Sequence, residues 1–313
     1  MNSPINKHAS QEAFKLLQFL YANYGKVTLT GQHDQMYSMG KPHQPSALIE
    51  KMTGVRPLIW GGEWGFSDER HDVDNIRYRP LLMDEIRRHH RDGQIVVISY
   101  HQASPVVGEP CGFENGVQPL LTEEQYDAVL TPGTELHGIW TEHVDRLAEA
   151  FNILQLEKIP IIFRPYHEMN GAWFWWGGDG ERFLQLWDMT YDRFTHYHQL
   201  NNLLWAWNPD KANVGEVEAF FPGLDKVDLV GTDVYPSADR DETFPLEWYL
   251  RMKAIAEDKP LALSENSIIP SPEVLAEQPY AYYMCWDKMV FENSDEQILR
   301  TVHHPVYRSE CNL

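Results

Sequence analysis

Along the chain, short apolar runs alternate with longer stretches whose apolar positions recur at helical spacing. The first long stretch is Ser10–Tyr24. Ser10 suits an N-cap, Phe14, Leu17, Leu20, Tyr21 and Tyr24 repeat on one face, and Gly25 closes it. Lys26–Asp34 (KVTLTGQHD) then reads as a strand running into a polar tip. The same shape returns at Arg56–Phe66, Gln94–Pro105, Ile159–Gly171, Leu203–Asp210, Val227–Ser237, Pro260–Ser267 and Tyr280–Asp287, giving eight candidate strands. Amphipathic helices lie between them. Pro80–Asp92 has Pro in its first turn and Gly93 as its stop; Thr141–Glu157 gathers Val144, Leu147, Ala148, Phe151 and Leu154 on one face; Glu181–His198 does so with Phe183, Leu186, Trp187, Phe194 and Tyr197.

Strands that are apolar on both faces and alternate with helices imply a parallel sheet. Eight of them in unbroken series fit a closed (β/α)8 TIM barrel, an α/β fold, better than a doubly wound sheet. Ser104–Leu136 is a gap of double length and reads as a long loop on the active face. No linker or shift in composition divides residues 1–313, so a single catalytic domain is expected.

The informative feature is what each strand ends in. Gln32-His33-Asp34, Trp60 with Glu63-Trp64, Tyr100-His101-Gln102, Arg164 with His167-Glu168, Trp207-Asn208, Asp233 with Tyr235, Glu265-Asn266 and Trp286-Asp287 all fall at C-terminal tips. In such a barrel these tips ring one mouth, and chemistry belongs at that mouth.

Charge narrows the partners. The 313 residues carry 26 Lys and Arg against 46 Asp and Glu, a net charge of −20. This argues against nucleic acid, an anionic membrane or a polyuronate. Met1–Ser10 has no apolar stretch to serve as a signal-peptide core, and no 18-residue apolar run occurs; as written the chain is expected to be cytoplasmic, or secreted if a leader was removed. Cys111, Cys285 and Cys311 are odd in number, widely spaced and form no CxxC, so neither a disulfide framework nor a structural zinc site is signalled.

Several chemistries drop out. His167-Glu168-Met169-Asn170-Gly171 starts like HExxH but lacks the second imidazole, and its Pro165 and Gly171 flanks suit a strand tip. Asp72-Val73-Asp74-Asn75 lacks the spacing of a calcium loop and reads as a turn or cap. No glycine-rich phosphate cradle or GxSxG elbow occurs. What remains is a carboxylate pair, Glu168 and Glu265, at the tips of the fourth and seventh strands. Two carboxyls flanking one bond are what glycoside hydrolysis needs, and two strand tips hold such a pair rigidly. The alternative for either Glu is a structural bridge to a neighbouring Arg or His. Trp173, Phe174, Trp175 and Trp176 follow the first Glu on a loop ending Gly177-Gly178. Four in a row cannot all face inward, and flat aromatic walls suit the apolar face of a sugar. Trp60, Trp64, Tyr235 and Trp286 are further candidates for those walls; Trp175 and Trp205 read as packing.

At these residues the sequence resembles glycoside hydrolase family 26, whose best-known members are β-1,4-mannanases. The resemblance is carried by IPIIFRPYHEMNGAWFWWG (Ile159–Gly177), LTGQHD, ISYHQASP, LLWAWNPD, VGTDVYPS and ALSENS, and it covers nearly the whole chain. It implies a retaining (β/α)8 enzyme with Glu168 as acid/base and Glu265 as nucleophile. It also implies that His167 contacts the sugar at the −1 subsite, that Trp173 walls the site near the scissile bond, that Tyr235 hydrogen-bonds the nucleophile and that Trp286 is the platform under the −1 sugar. His101 and Arg164 match polar positions of the same mouth. Several mannanases carry Arg after the strand-eight Trp, for the −2 sugar; here Asp287 follows. The implied substrate is a neutral β-mannan or manno-oligosaccharide, cleaved internally. Release of mannobiose from chain ends, or action on β-1,3-xylan or mixed-linkage glucan, stays open, as does a binding protein that has lost turnover. The chemistry requires no metal or organic cofactor. Glu168, set among aromatics, is expected to have a raised pKa, and Glu265 to be held ionised by Tyr235 with Arg164 or His167.

Overall fold

The computed structural model describes residues 3–40, 44–211, 216–236 and 243–310. Met1, Asn2, Ser237 and Cys311, which figure in the expectations above, lie outside the described residues. Eight parallel strands close into one barrel in chain order: β1 (Gly31–His33), β2 (Ile59–Glu63), β3 (Ile95–Tyr100), β4 (Ile161–Pro165), β5 (Leu203–Trp207), β6 (Leu229–Val234), β7 (Leu261–Asn266) and β8 (Tyr283–Trp286). Each falls within one of the eight apolar runs read from the sequence, and the fold is a TIM barrel.

Alternation along the strands sorts the core. Ile59, Val97, Ile162, Leu204, Leu229, Ala262 and Met284 come from seven different strands yet form one cluster, which is the barrel interior. Helix α1 (Gln11–Asn23) closes its N-terminal end with Leu16, Leu17 and Leu20. The intervening positions Val96, Ile98, Phe163, Trp205 and Val230 face outward into a second cluster with the surrounding helices. Those helices are α2 (Gln44–Thr53), α3 (Arg79–Arg91), α4 (Glu123–Leu130), α5 (Glu135–Leu156), α6 (Gly180–Asp192), α7 (Leu246–Ala256), α8 (Pro272–Glu277) and α9 (Asp295–His303). Among the described residues no helix is long and apolar enough to cross a membrane.

Caps set the helix starts. Ser10, Thr134 and Asp179 accept from the amides of Ala13, His137 and Arg182 at 3.1, 3.2 and 3.0 Å, each contact contributing about 1 kcal/mol. Capped by Thr134, α5 begins at Glu135, six residues ahead of the expected Thr141, because burial of Trp140 against the core outweighs the helix cost of Gly138. Ser104–Leu136 is correspondingly less of a loop than expected. It holds a π-helical turn at Phe113–Val117, the whole of α4 and the first residues of α5. After β2 the chain forms a small hairpin, Ser67–Asp68 against Val73–Asp74. Asp74 accepts from Ser67 Oγ at 2.7 Å and from the Arg77 amide at 3.0 Å, the turn role read from its sequence.

Candidate active site

Two departures from regular backbone aim the carboxylates. Alternation along β7 places Leu261 and Leu263 outward, so Glu265 would follow them into the helix layer. A register shift between Leu263 and Glu265 breaks the alternation and turns Glu265 into the mouth. On the β4 side, Arg164 continues the inward series from Ile162. The chain then bends through Tyr166 and Glu168, both in the left-handed region at φ 51° and 55°. Such backbone is strained for residues with a Cβ and persists only where neighbours hold it. Here the Glu168 amide donates to Asn208 O at 2.7 Å, Tyr166 Oη donates to Gln102 Oε1 at 2.7 Å, and Trp176 Nε1 donates to His167 O at 2.8 Å.

The two carboxyls have opposite surroundings. Glu265 Oε1 accepts from Arg164 Nη2 at 2.5 Å, and Oε2 accepts from Tyr235 Oη at 3.0 Å. His167 Nε2 lies 3.6 Å from Oε1. Among the described residues the Glu168 carboxyl has one donor, the neutral Trp173 Nε1, at 2.7 Å from Oε2. Gly171 lets that indole fold back, since a Cβ there would stand 2.5 Å from the Trp173 ring. Burial, then the negative charges of Asp210 and Glu265, push Glu168 well above the ordinary carboxyl range. Burial raises Glu265 too, but the Arg164 guanidinium and the Tyr235 hydrogen bond oppose it and hold its rise below that of Glu168. On acidification Glu168 therefore takes the proton first, the division an acid and a nucleophile need. His167 is pushed well below the ordinary imidazole range by burial first and by the Arg164 guanidinium beside it, and is neutral. His167, Asp233 and Glu265 bring one ligand atom each within 4.8 Å of one another, and the cation set among them is Arg164, 3.8 Å from Asp233.

His101, His167, Glu168, Tyr235, Glu265 and Trp286 line one cleft of about 570 Å³ at the barrel mouth. Trp286 stacks on His33, their rings 3.9 Å apart. Trp173 stands beside the cleft through its bond to Glu168. Arg164 is not a cleft residue: it is fully buried beneath Glu265 and also donates to Ser264 O at 3.0 Å, so it acts on the carboxylate, not on a bound molecule. Trp64 and Trp60, expected in the walls, are packed away from it. Trp64 lies under the Arg79 guanidinium at 4.7 Å, and Trp60 points outward, stacked on His89 with Nε1 donating to Asp34. Trp175 and Trp205 are buried, as read from the sequence, and so is Trp176.

Phe174 of the aromatic run and Asp287 after Trp286, both named from the sequence, also line the cleft, together with residues not singled out in advance. Phe66, Phe113 and Phe174 make a wall beside His101, Phe113 edge-on to Phe174 and tilted against Phe66. Asp68, Arg70 and His71 of the hairpin line one side, with Asp287, Lys288 and Glu292 also in the lining. Asp287 Oδ1 accepts from Tyr37 Oη at 2.6 Å. The sequence signals none of the hairpin residues, whose place depends on a loop conformation. Asp233 and Glu63 carry a signal, their position at strand tips.

The chain is similar to known proteins along most of its length. The model of glycosyl hydrolase family 26 matches residues 5–311. GH26A from Muricauda sp. MAR_2010_75 superposes with a TM-score of 0.86 at 32% identity, over 97% of this chain and 98% of that one. Mannan endo-1,4-beta-mannosidase A and B of Caldalkalibacillus mannanilyticus is 33% identical over 288 residues, 88% of this chain and 53% of that protein. Mannan endo-1,4-beta-mannosidase B of Piromyces sp. is 29% identical over 287 residues, 90% of this chain and 48% of that protein. The chain thus spans about half the length of these curated relatives. With a match along nearly its whole length and two carboxylates facing one barrel mouth, the chain belongs to glycosyl hydrolase family 26.

Proposed function

We propose that the protein is a retaining β-1,4-mannanase that cleaves mannan within the chain. The observation that carries the assignment of roles is the asymmetry of the pair: Glu265 is clamped by a guanidinium and a phenol, whereas among the described residues the donor to the Glu168 carboxyl is an indole. In the first step Glu265 attacks the anomeric carbon while Glu168 gives its proton to the departing glycosidic oxygen. The C–O bond to the leaving sugar breaks and an ester to Glu265 forms. In the second step Glu168, now a carboxylate, takes a proton from water. The resulting nucleophile displaces Glu265 and releases the sugar with its configuration retained. Trp286 offers the flat face under the reacting sugar, and His167 and His101 offer ring nitrogens beside it.

The mannan assignment is supported by the names of its family relatives, mannan endo-1,4-beta-mannosidases, and by a cleft with both acidic and basic lining groups, suited to a neutral glycan. The test is reducing-sugar release with product sizing from linear mannan, mixed-linkage glucan and β-1,3-xylan in parallel, with the anomer of the first product read by proton NMR. Mannan products of mixed length and β-configuration are expected. Activity on glucan or xylan alone overturns the substrate, an α-product overturns the retaining mechanism, and binding without turnover overturns the enzyme. A second reading, release of mannobiose from chain ends, is favoured by the Ser67–Asp74 hairpin along one side of the cleft, and mannobiose as the sole product would establish it.

A further inference from the structure

Glu63 is a fully buried carboxylate at the tip of β2, outside the cleft lining. Its Oε1 accepts two backbone amides, Gly65 at 2.6 Å and His101 at 2.9 Å, and its Oε2 lies 2.8 Å from His101 Nδ1. The clamp leaves no room for a side chain at residue 65, where a Cβ would stand 2.2 Å from His101 O and 2.7 Å from Glu63 Oε1. His101 is itself almost fully buried. Its ring sits edge-on to His167 at 4.3 Å and to Trp286 at 5.8 Å, and it lines the cleft. Among the described residues its Nε2 makes no hydrogen bond to the protein, so the cleft is where that nitrogen can find a partner.

A neutral imidazole carries its proton on one nitrogen and a lone pair on the other, and a carboxylate beside one nitrogen decides which. Two backbone N–H groups and the Nδ1 side of the His101 ring converge on Glu63, a pattern that suits an ionised acceptor. Burial raises its pKa, but His101 at the side chain and at the backbone more than reverses this, and the carboxyl ends below its ordinary value. We propose that Glu63 is a positioning residue that holds His101 as the Nδ1–H tautomer, so that Nε2 presents a lone pair to the cleft and accepts a hydrogen bond from a sugar hydroxyl. The second half of this statement rests on the reading of the cleft as a sugar site; the first does not.

The decisive variant is Glu63→Gln. The Gly65 and His101 amides both donate to the Oε1 position, so the carbonyl oxygen of the new amide must stay there. Its NH2 then faces Nδ1 and donates to it, which drives the proton to Nε2. The shape is kept and the tautomer inverted. The readout is two-dimensional 1H–15N spectroscopy of histidine-labelled protein, with the His101 signals identified by their loss in His101→Asn. In the wild type Nδ1 should appear protonated and Nε2 unprotonated, with no substrate added; Glu63→Gln should exchange the two patterns, and Glu63→Asp should restore the first. On whichever oligosaccharide the enzyme turns over, Glu63→Gln should lower kcat/KM on the order of tenfold to a hundredfold, since a donor then faces the hydroxyl that had been donating. A wild-type His101 protonated on Nε2 overturns the proposal even if the variant does not fold. An inverted tautomer with unchanged kcat/KM leaves the orienting role standing and overturns the sugar contact. Failure to cleave mannan leaves the spectroscopic result intact, so the two readings fail separately.

Discussion

Replacing Arg164 with Met tests whether the cation beneath the nucleophile is an electrostatic part or only filler. The guanidinium is fully buried, 2.5 Å from Glu265 and 3.8 Å from Asp233. At an effective dielectric of ~20 these separations correspond to gross attractions of about 7 and about 4 kcal/mol. Desolvation offsets most of that, and the measurable cost of removing one partner of a buried pair is about 3–5 kcal/mol, because the other charge is left uncompensated. In a chain of this size that lowers Tm on the order of 10 °C. Glu265→Gln in the same background removes the stranded charge. The assay is a double-mutant cycle by urea unfolding at pH 7, comparing the wild type, Arg164→Met, Glu265→Gln and the double variant. The double variant should be more stable than Arg164→Met alone, with a coupling of about 2–3 kcal/mol. Losses that add to within about 0.5 kcal/mol would refute the ion-pair account and leave Arg164 as packing.

Three further outcomes follow from the site. Glu265→Ala should nearly abolish turnover on every substrate, whereas Glu168→Ala should lose about 10²–10⁴-fold on mannan and far less in the first step on a dinitrophenyl glycoside, which leaves without a proton; equal losses on both would sink the acid/base assignment. Glu168→Gln should be more thermostable than the wild type, by a margin that grows with pH. The folded-state pKa of Glu168 is raised by burial, Asp210 and Glu265, so the unfolded chain loses its proton first and wild-type stability falls as pH rises toward the folded pKa; a margin independent of pH would contradict this. Trp286→Ala and Trp64→Ala should separate binding from packing. The first should raise KM with little change in Tm, and the second should cost about 3–5 kcal/mol of stability with KM unchanged, read by kinetics and thermal unfolding on the same preparations.

The positions of Arg164 and Trp64 show where sequence reading reaches its limit. Both stand at strand tips, and a tip position says that a residue is near the mouth, not which way its side chain turns. Arg164 follows the inward phase of β4 and ends below the cleft under Glu265. Trp64 lies one residue past β2 and turns outward under Arg79, a residue of α3 that no local pattern ties to it. Glu265 is the reverse case: its register shift overturns the phase that strict alternation would assign, and brings into the mouth a residue that simple counting sends outward.

Local patterning was enough to determine the eight strands, the barrel they close and the tips where chemistry gathers, because each strand must be apolar on both faces and each helix on one. The adjacent residues of RPYHEMNG also carried the family resemblance directly. Tertiary structure alone decided which polar groups meet. Arg164 and Glu265 are 101 residues apart, Tyr235 and Glu265 are 30 apart, and Glu63 and His101 are 38 apart. Their contacts depend on barrel closure, a register shift in β7 and a left-handed bend after β4, all set by neighbours distant in the chain.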